Sequence, residues 1–171
     1  MLTSGAAGAA LPPRIAIIPE AHGATTAEDV DRFVARLGNQ ILKHPQYELV
    51  DRLRLQSVLS ELGFANSAYA DPATAAKLGK LVGASSILHA TLSVDVEQSA
   101  DQLNNQETID VESDYGLIEV QTARITATGS ADGSQERDAV AGGGYAVSAL
   151  GARRAALDAC ADDLIDQLAL K

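Results

Sequence analysis

Aromatic residues are scarce in this chain: they make up 4% of 171 residues, and tryptophan is absent. Hydrophobic residues still reach 46%, so the core must be built from Ala, Leu, Val and Ile. A chain of this length suits one domain with a sizeable core. We predict a flexible linker over residues 1–13, which are rich in Ala and Gly. A single α/β domain should then occupy residues 14–171.

Cysteine and long apolar runs are also lacking. The one cysteine, Cys160, excludes an intramolecular disulfide and a cysteine-based metal cage. Its apolar helical surroundings predict a small core residue. No run of about 18 apolar residues occurs, so no transmembrane helix is predicted. The N-terminus has neither a basic segment nor a continuous apolar one, and it does not read as a signal peptide.

Positive charge is in short supply, with 13 Lys and Arg residues against 23 Asp and Glu residues and a net charge of -10. An acidic surface repels phosphate backbones, which argues against nucleic acid as a partner. The same charge favours solubility. It would attract a cationic partner if it were concentrated on one face.

Catalytic motifs are missing as well. His22, His44 and His89 are the only histidines, and no second His or Cys stands at metal-ligand spacing. The chain has no phosphate-binding loop, no G-x-S-x-G and no H-E-x-x-H. We therefore predict no catalytic residue, no cofactor and no metal. An enzymatic or ligand-binding α/β domain would need a deep pocket near His22, which we expect in a loop after the first strand.

The first half of the chain alternates between strand and helix patterns. An apolar run at 15–18 predicts a buried strand, and 47–50 a second one. Between them, Thr25 and Thr26 precede a helix whose apolar residues repeat at helical spacing, namely Val30, Phe33, Val34, Leu37 and Ile41.

Two capped helices follow. Asp51 is the first cap residue, and Asp71 followed by Pro72 marks the second start. The second of these helices should bury Ala75, Leu78, Leu81 and Val82 and end at Gly83.

The second half reads as strands and a final helix. Alternation predicts strands over 88–96 and 109–115, joined by a polar connection at 98–106. Asp110, Glu112 and Asp114 give the second strand a strongly acidic outer edge. The pattern changes phase after Ile118, which predicts a bulge near Thr122. A hairpin turn is predicted at 130–133, an edge strand at 135–141, and a helix over 147–170 that buries Leu150. The predicted fold is α/β (α+β), a three-layer-like mixed sheet with helices packed on it, in the order β-α-β-α-α-β-β-β-α.

The last helix carries an acidic band made of Asp158, Asp162, Asp163 and Asp166. Asp158, Asp162 and Asp166 are spaced to share one face, and like charges in a row suggest a basic partner, a neighbouring subunit or a bound cation. A solvated face is the plainer alternative. Arg153 and Arg154 could pair with these acids within or between subunits. The predicted partner or oligomer interface comprises Arg52, Arg54, Glu61, Arg153, Arg154, Asp158, Asp162 and Asp166.

The stretch from Val50 to Leu92 carries a family resemblance. Val50-Asp51-Arg52 leads into a helix of the form L-x-x-V-L-x-E at 55–61. Asp71-Pro72, the segment A-A-K-L-G-K at 75–80 and L-V-G-A at 81–84 follow. This pattern resembles the domain shared by CsgG, LpoB and the N-terminal part of TolB. PelC is similar in fold and size.

The resemblance implies a non-enzymatic module of the cell envelope. The first interpretation is a homo-oligomeric ring or scaffold in a secretion or export apparatus. The alternative is a monomeric regulator that docks on an envelope enzyme such as a peptidoglycan synthase. Expected partners are the chain itself, other envelope or export proteins, and a cationic polymer. The expected location is the periplasm, at the outer membrane, through a lipid anchor that would precede this sequence.

Overall fold

The computed structural model describes residues 12–62, 71–101, 104–138 and 147–170. Its elements are β1 (Arg14–Gly23), α1 (Ala27–Ile41), β2 (Glu48–Leu49), α2 (Arg52–Leu62), α3 (Pro72–Val82), β3 (Ser86–Asp101), β4 (Asn104–Glu119), β5 (Arg124–Asp138) and α4 (Ala149–Leu168). The predicted order of elements and the mixed α/β architecture are confirmed.

All five strands form one curled sheet in the order β2-β1-β3-β4-β5. β1 runs parallel to β2 and β3, whereas β3, β4 and β5 are antiparallel neighbours. Helices α1 and α4 cover one face and share a core with it, centred on Phe33, Leu92 and Leu164. Helices α2 and α3 cover one end of the other face, where Leu78 and Ile87 are buried. The remainder of that second face carries no described helix.

The predicted helix starts are confirmed at atomic level. Thr26 caps α1, and its side chain and that of Asp29 bond each other's backbone N–H groups in a capping box. Asp71 caps α3 by accepting the N–H of Thr74, with Pro72 in the first turn. Gly83 ends α3 in the left-handed conformation at φ 72°, which a glycine adopts without strain.

The strands are longer than predicted. The predicted connection at 98–106 is wrong, because Ser99 pairs with Gln106 and Ala100 with Asn105 near the end of the β3–β4 hairpin. The first strand does not end at Ile18 either, and His22 lies within β1 instead of in a loop.

Proline has no backbone N–H to donate to a neighbouring strand, and Pro19 is tolerated inside β1 because its nitrogen faces an edge that is unpaired in the described part of the chain. Pro13 and Ile15 direct their carbonyl groups to β2. Since backbone groups alternate sides along a strand, Pro19 faces the same edge, which β2 is too short to reach.

The predicted hairpin turn at 130–133 is wrong, because β5 runs through these residues. The chain turns at 120–123 instead, with Ala123 at φ 56°, and the register shift lies between Leu117 and Ile118 rather than near Thr122. Gly133 serves packing: a Cβ there would lie 2.2 Å from the carbonyl oxygen of Ala156 in α4. The predicted edge strand at 135–141 is the end of β5 as far as Asp138, and 139–141 lie outside the described residues.

Side chains of α4 protect part of the outer edge of β5. The amide of Asp132 donates to Oδ2 of Asp163 at 3.2 Å, and Nε2 of Gln167 donates to the carbonyl of Ser130 at 2.8 Å. Cys160, on the same helix, is fully buried, as predicted. Two expected core residues are exposed instead, Leu81 at 55% and Leu150 at 48%. Leu81 points away from the face that Leu78 and Val82 bury against the sheet, and Leu150 belongs to the exposed first turn of α4.

Candidate functional site

Two acids of α4, Asp158 and Asp162, have basic partners within the chain. Four ion pairs join α4 to α1, namely Arg153–Asp29, Arg154–Glu28, Arg32–Asp158 and Arg36–Asp162. The arginines predicted to pair with the acids of α4 pair with α1 instead, and arginines of α1 bind the acids of α4. The basic partner suggested by the acidic band is therefore, for two of its acids, a helix of the same chain.

The Arg153–Asp29 pair is the most buried of the four. Nε and Nη2 of Arg153 each donate to a different carboxylate oxygen of Asp29 at 2.6 Å, and the side chains are 21% and 5% exposed. Burial alone would raise the pKa of Asp29, but hydrogen bonds from Arg153 and Thr26 outweigh it and lower the pKa. This pair therefore favours the ionised form of Asp29 in the folded state.

The remaining predicted interface residues are more exposed. Hydrogen bonds from Arg36, together with one from Gln40, lower the pKa of Asp162. Arg52 pairs with Asp31 at 2.5 Å, while Arg54, Glu61 and Asp166 lie exposed on α2 and α4. The eight residues are spread over two helices, and their role as an interface stays a prediction.

The open part of the sheet is strongly acidic. Along each strand, core residues such as Leu92, Val111 and Ala131 alternate with residues that point to the face without a described helix. We call this surface the acidic face. Its carboxylates belong to Glu20, Asp95, Glu97, Asp110, Glu112, Asp114, Asp132, Glu136 and Asp138.

Like charges stand directly opposite each other on the acidic face. Asp95 pairs with Asp110 across β3 and β4, and Glu112 pairs with Asp132 across β4 and β5. Such cross-strand pairs destabilise a sheet. None of the described residues that share this face is Lys or Arg. The arrangement costs stability and is suited to contact with a cationic surface.

Histidines supply the only other ionisable groups among the described residues of the acidic face. Glu20 lies between them, with its carboxylate 3.2 Å from Nε2 of His89 and 3.6 Å from Nε2 of His22. A depression of about 290 Å³ lies beside His22 and is lined by Thr91, Ser93, Glu112 and Asp114. Within the described part of the chain, no group of three or more His, Cys, Asp or Glu side chains is arranged to hold a metal ion.

Sequence reasoning found only part of the acidic face. The alternation of Asp110, Glu112 and Asp114 indicates an acidic strand surface, and the structure has these residues on one face of β4. The predicted turn at 130–133 separates Asp132 from the other acids of β5, so the sequence prediction does not include them in one surface. A continuous strand over 124–138 has its acids at even positions, which share one face.

Solved structures similar to this chain include three bacterial proteins. A neuraminyllactose-binding hemagglutinin homolog from Helicobacter pylori has a TM-score of 0.52 at 12% identity, covering 93% of this chain and 84% of that one. The C-terminal domain of LpoB from Salmonella enterica has a TM-score of 0.45 at 18% identity, with 74% and 85% covered. A PelC dodecamer from Paraburkholderia phytofirmans has a TM-score of 0.49 at 12% identity, with 94% and 89% covered. At 12% identity the likeness to the Helicobacter pylori protein concerns the fold alone.

The family comparison is more specific. No curated protein matches the chain, and no helix in the described ranges is long and apolar enough to cross a membrane. Residues 25–131, more than half of the chain, match the family model described as peptidoglycan-synthase activator LpoB. This match supports the LpoB part of the expected resemblance and gives no support to CsgG or TolB. The chain belongs to the LpoB family of peptidoglycan-synthase activators.

Proposed function

We propose that this protein is a non-catalytic regulator in the periplasm that docks on a peptidoglycan synthase and raises its activity. The observation that carries the proposal is the family match over residues 25–131. It favours the regulator that the sequence suggested as an alternative over the ring or scaffold of an export apparatus.

The acidic face is the surface we assign to docking. It presents nine carboxylates without Lys or Arg among its described residues, and it keeps two like-charge pairs that weaken the sheet. A basic surface on the synthase would neutralise this charge. Complementary charge of this kind chiefly accelerates association, and salt screens it.

A reconstituted assay tests the proposed function. The purified protein is added to a purified peptidoglycan synthase from the same organism. Glycan polymerisation and direct binding are then measured at low and high salt. We expect faster polymerisation, and an association rate that falls as salt rises. A chain that neither binds nor stimulates the synthase would refute the function.

Charge-reversal variants test the surface separately. Asp110→Lys combined with Glu112→Lys turns both repulsive pairs of the acidic face into opposite-charge pairs, so the variant should fold at least as stably as the wild type. Glu61→Lys combined with Asp166→Lys makes the same charge change on exposed helical positions. Only the first variant should lose stimulation. Equal loss in both, or loss only in the second, would reject the acidic face as the docking surface.

A further inference from the structure

An apolar pocket opens at the β2 edge of the sheet, apart from the acidic face. β2 pairs with β1 only at Arg14 and Ile15, so within the described ranges no strand lies beside Ile17 on that edge. Helix α1 packs on one face and α2 on the other, and the gap between them is a cavity of about 300 Å³. This volume is at the lower end of the range of small-molecule pockets.

The wall of the pocket is aliphatic. Ile17, Val50 and Leu55 are buried at its base, and Leu42 is 54% exposed at its surface. Small residues of α1 keep the cavity open: Ala35 lines it, and a Cβ on Gly38 would come within 3.1 Å of Leu49. An alkyl chain is the ligand group that such a wall would take out of water.

The polar groups of the pocket favour an anion. Arg52 and Asn39 are the polar side chains in its lining, and Arg52 stands at the start of α2, where the helix dipole is positive. Asp31 is the ion-pair partner of Arg52, with side chains 63% and 41% exposed. An ion pair so exposed contributes little, so an incoming carboxylate or phosphate can exchange with it.

We propose that this pocket binds an anionic amphiphile with a single alkyl chain, the chain lying against the aliphatic wall and the head group on the guanidinium of Arg52. The site is independent of the docking surface proposed above, because it lies at the β2 edge and uses none of the acidic residues of the sheet. It adds a ligand-binding activity to a chain whose family is described by its action on a synthase.

Calorimetric titration tests the proposal, with decanoate and decyl phosphate kept below their micelle concentrations and decanol below its solubility limit. Both anions should bind the wild type. Arg52→Gln should weaken decanoate about tenfold or more while leaving decanol unchanged, because it removes a charge-assisted hydrogen bond. Arg54→Gln, on the same helix but outside the pocket lining, is the matched control and should change neither.

A variant that fills the pocket with a side chain provides a second test of the proposal. Ala35→Phe places a ring in the cavity from an exposed helical position, whereas Ala155→Phe makes the same change on an exposed position of α4 outside the lining. Only Ala35→Phe should abolish binding of all three ligands. Failure of the wild type to bind decanoate, or binding that survives Ala35→Phe, would overturn the proposal. So would loss of synthase binding by Ala35→Phe without any amphiphile binding, since the pocket would then take a side chain of the partner protein.

Discussion

Removing the guanidinium of Arg153 should destabilise the fold far more than removing that of its neighbour Arg154. Arg153→Met keeps the apolar stem of the side chain but leaves the carboxylate of Asp29, which is 5% exposed, without its cation. Breaking a buried ion pair costs about 3–5 kcal/mol. Arg153 is 21% exposed and Thr26 still bonds Asp29, so we expect about 2–3 kcal/mol here.

The adjacent pair supplies the control. Arg154 and Glu28 are 45% and 67% exposed, and a pair so exposed contributes about 0–1 kcal/mol. Arg154→Met removes the same chemical group one residue along the same helix. It should therefore shift the unfolding midpoint only slightly.

Unfolding in guanidinium chloride, followed by circular dichroism, measures the free energies of unfolding of both variants. We expect an unchanged m-value, and a melting temperature that falls by about 4–12 °C for Arg153→Met in a chain of this size. A double-mutant cycle with Asp29→Asn should give a coupling energy of at least about 1 kcal/mol. The reasoning is refuted if Arg153→Met costs no more than Arg154→Met, or if the cycle shows no coupling.

Three further outcomes follow from buried groups. The pKa of Asp29 is lowered in the folded state, so the Arg153 pair stabilises fully above about pH 5 and less as the pH falls. The difference in free energy of unfolding between wild type and Arg153→Met, measured by urea titration, should therefore become smaller from neutral pH to about pH 3. A difference that does not change with pH would contradict this. Burial raises the pKa of Cys160 to about 12, so Ellman's reagent should label this thiol only after unfolding, and rapid labelling of the native protein would disprove it. Gly133→Ala should lower the free energy of unfolding by about 1–3 kcal/mol, because the new methyl group overpacks the contact with α4. Gly116→Ala, with nothing within 4 Å of its Cβ, should not lower it. Equal unfolding midpoints for the two variants would show that α4 moves aside without loss of stability.

The helices could be predicted from the sequence because the residues that begin and end them act locally. Thr26, Asp71 and Gly83 act on backbone groups within a few residues of themselves, so their chemistry is visible in the sequence and recurs in the structure. The buried stripe of α1 follows equally from spacing alone. Order and type of the elements were predictable for this reason.

The strands and the site depend on contacts that spacing does not show. The sequence predicts that Gly133 is a turn residue, yet in the structure it is small because α4 lies directly on the strand. Arg32 and Asp158 are 126 positions apart, so no local pattern could match them. The acidic face needs the register of four strands before its charges are seen to share one surface.

The contact of α4 with the outer edge of β5 has a consequence for assembly. Asp163 and Gln167 occupy the backbone amide of Asp132 and the carbonyl of Ser130, which are the groups an added strand would need there. A second copy could extend the sheet through this point only after the side chains of Asp163 and Gln167 had released these two groups. Self-association of the folded chain at this part of β5 must therefore join surfaces of side chains.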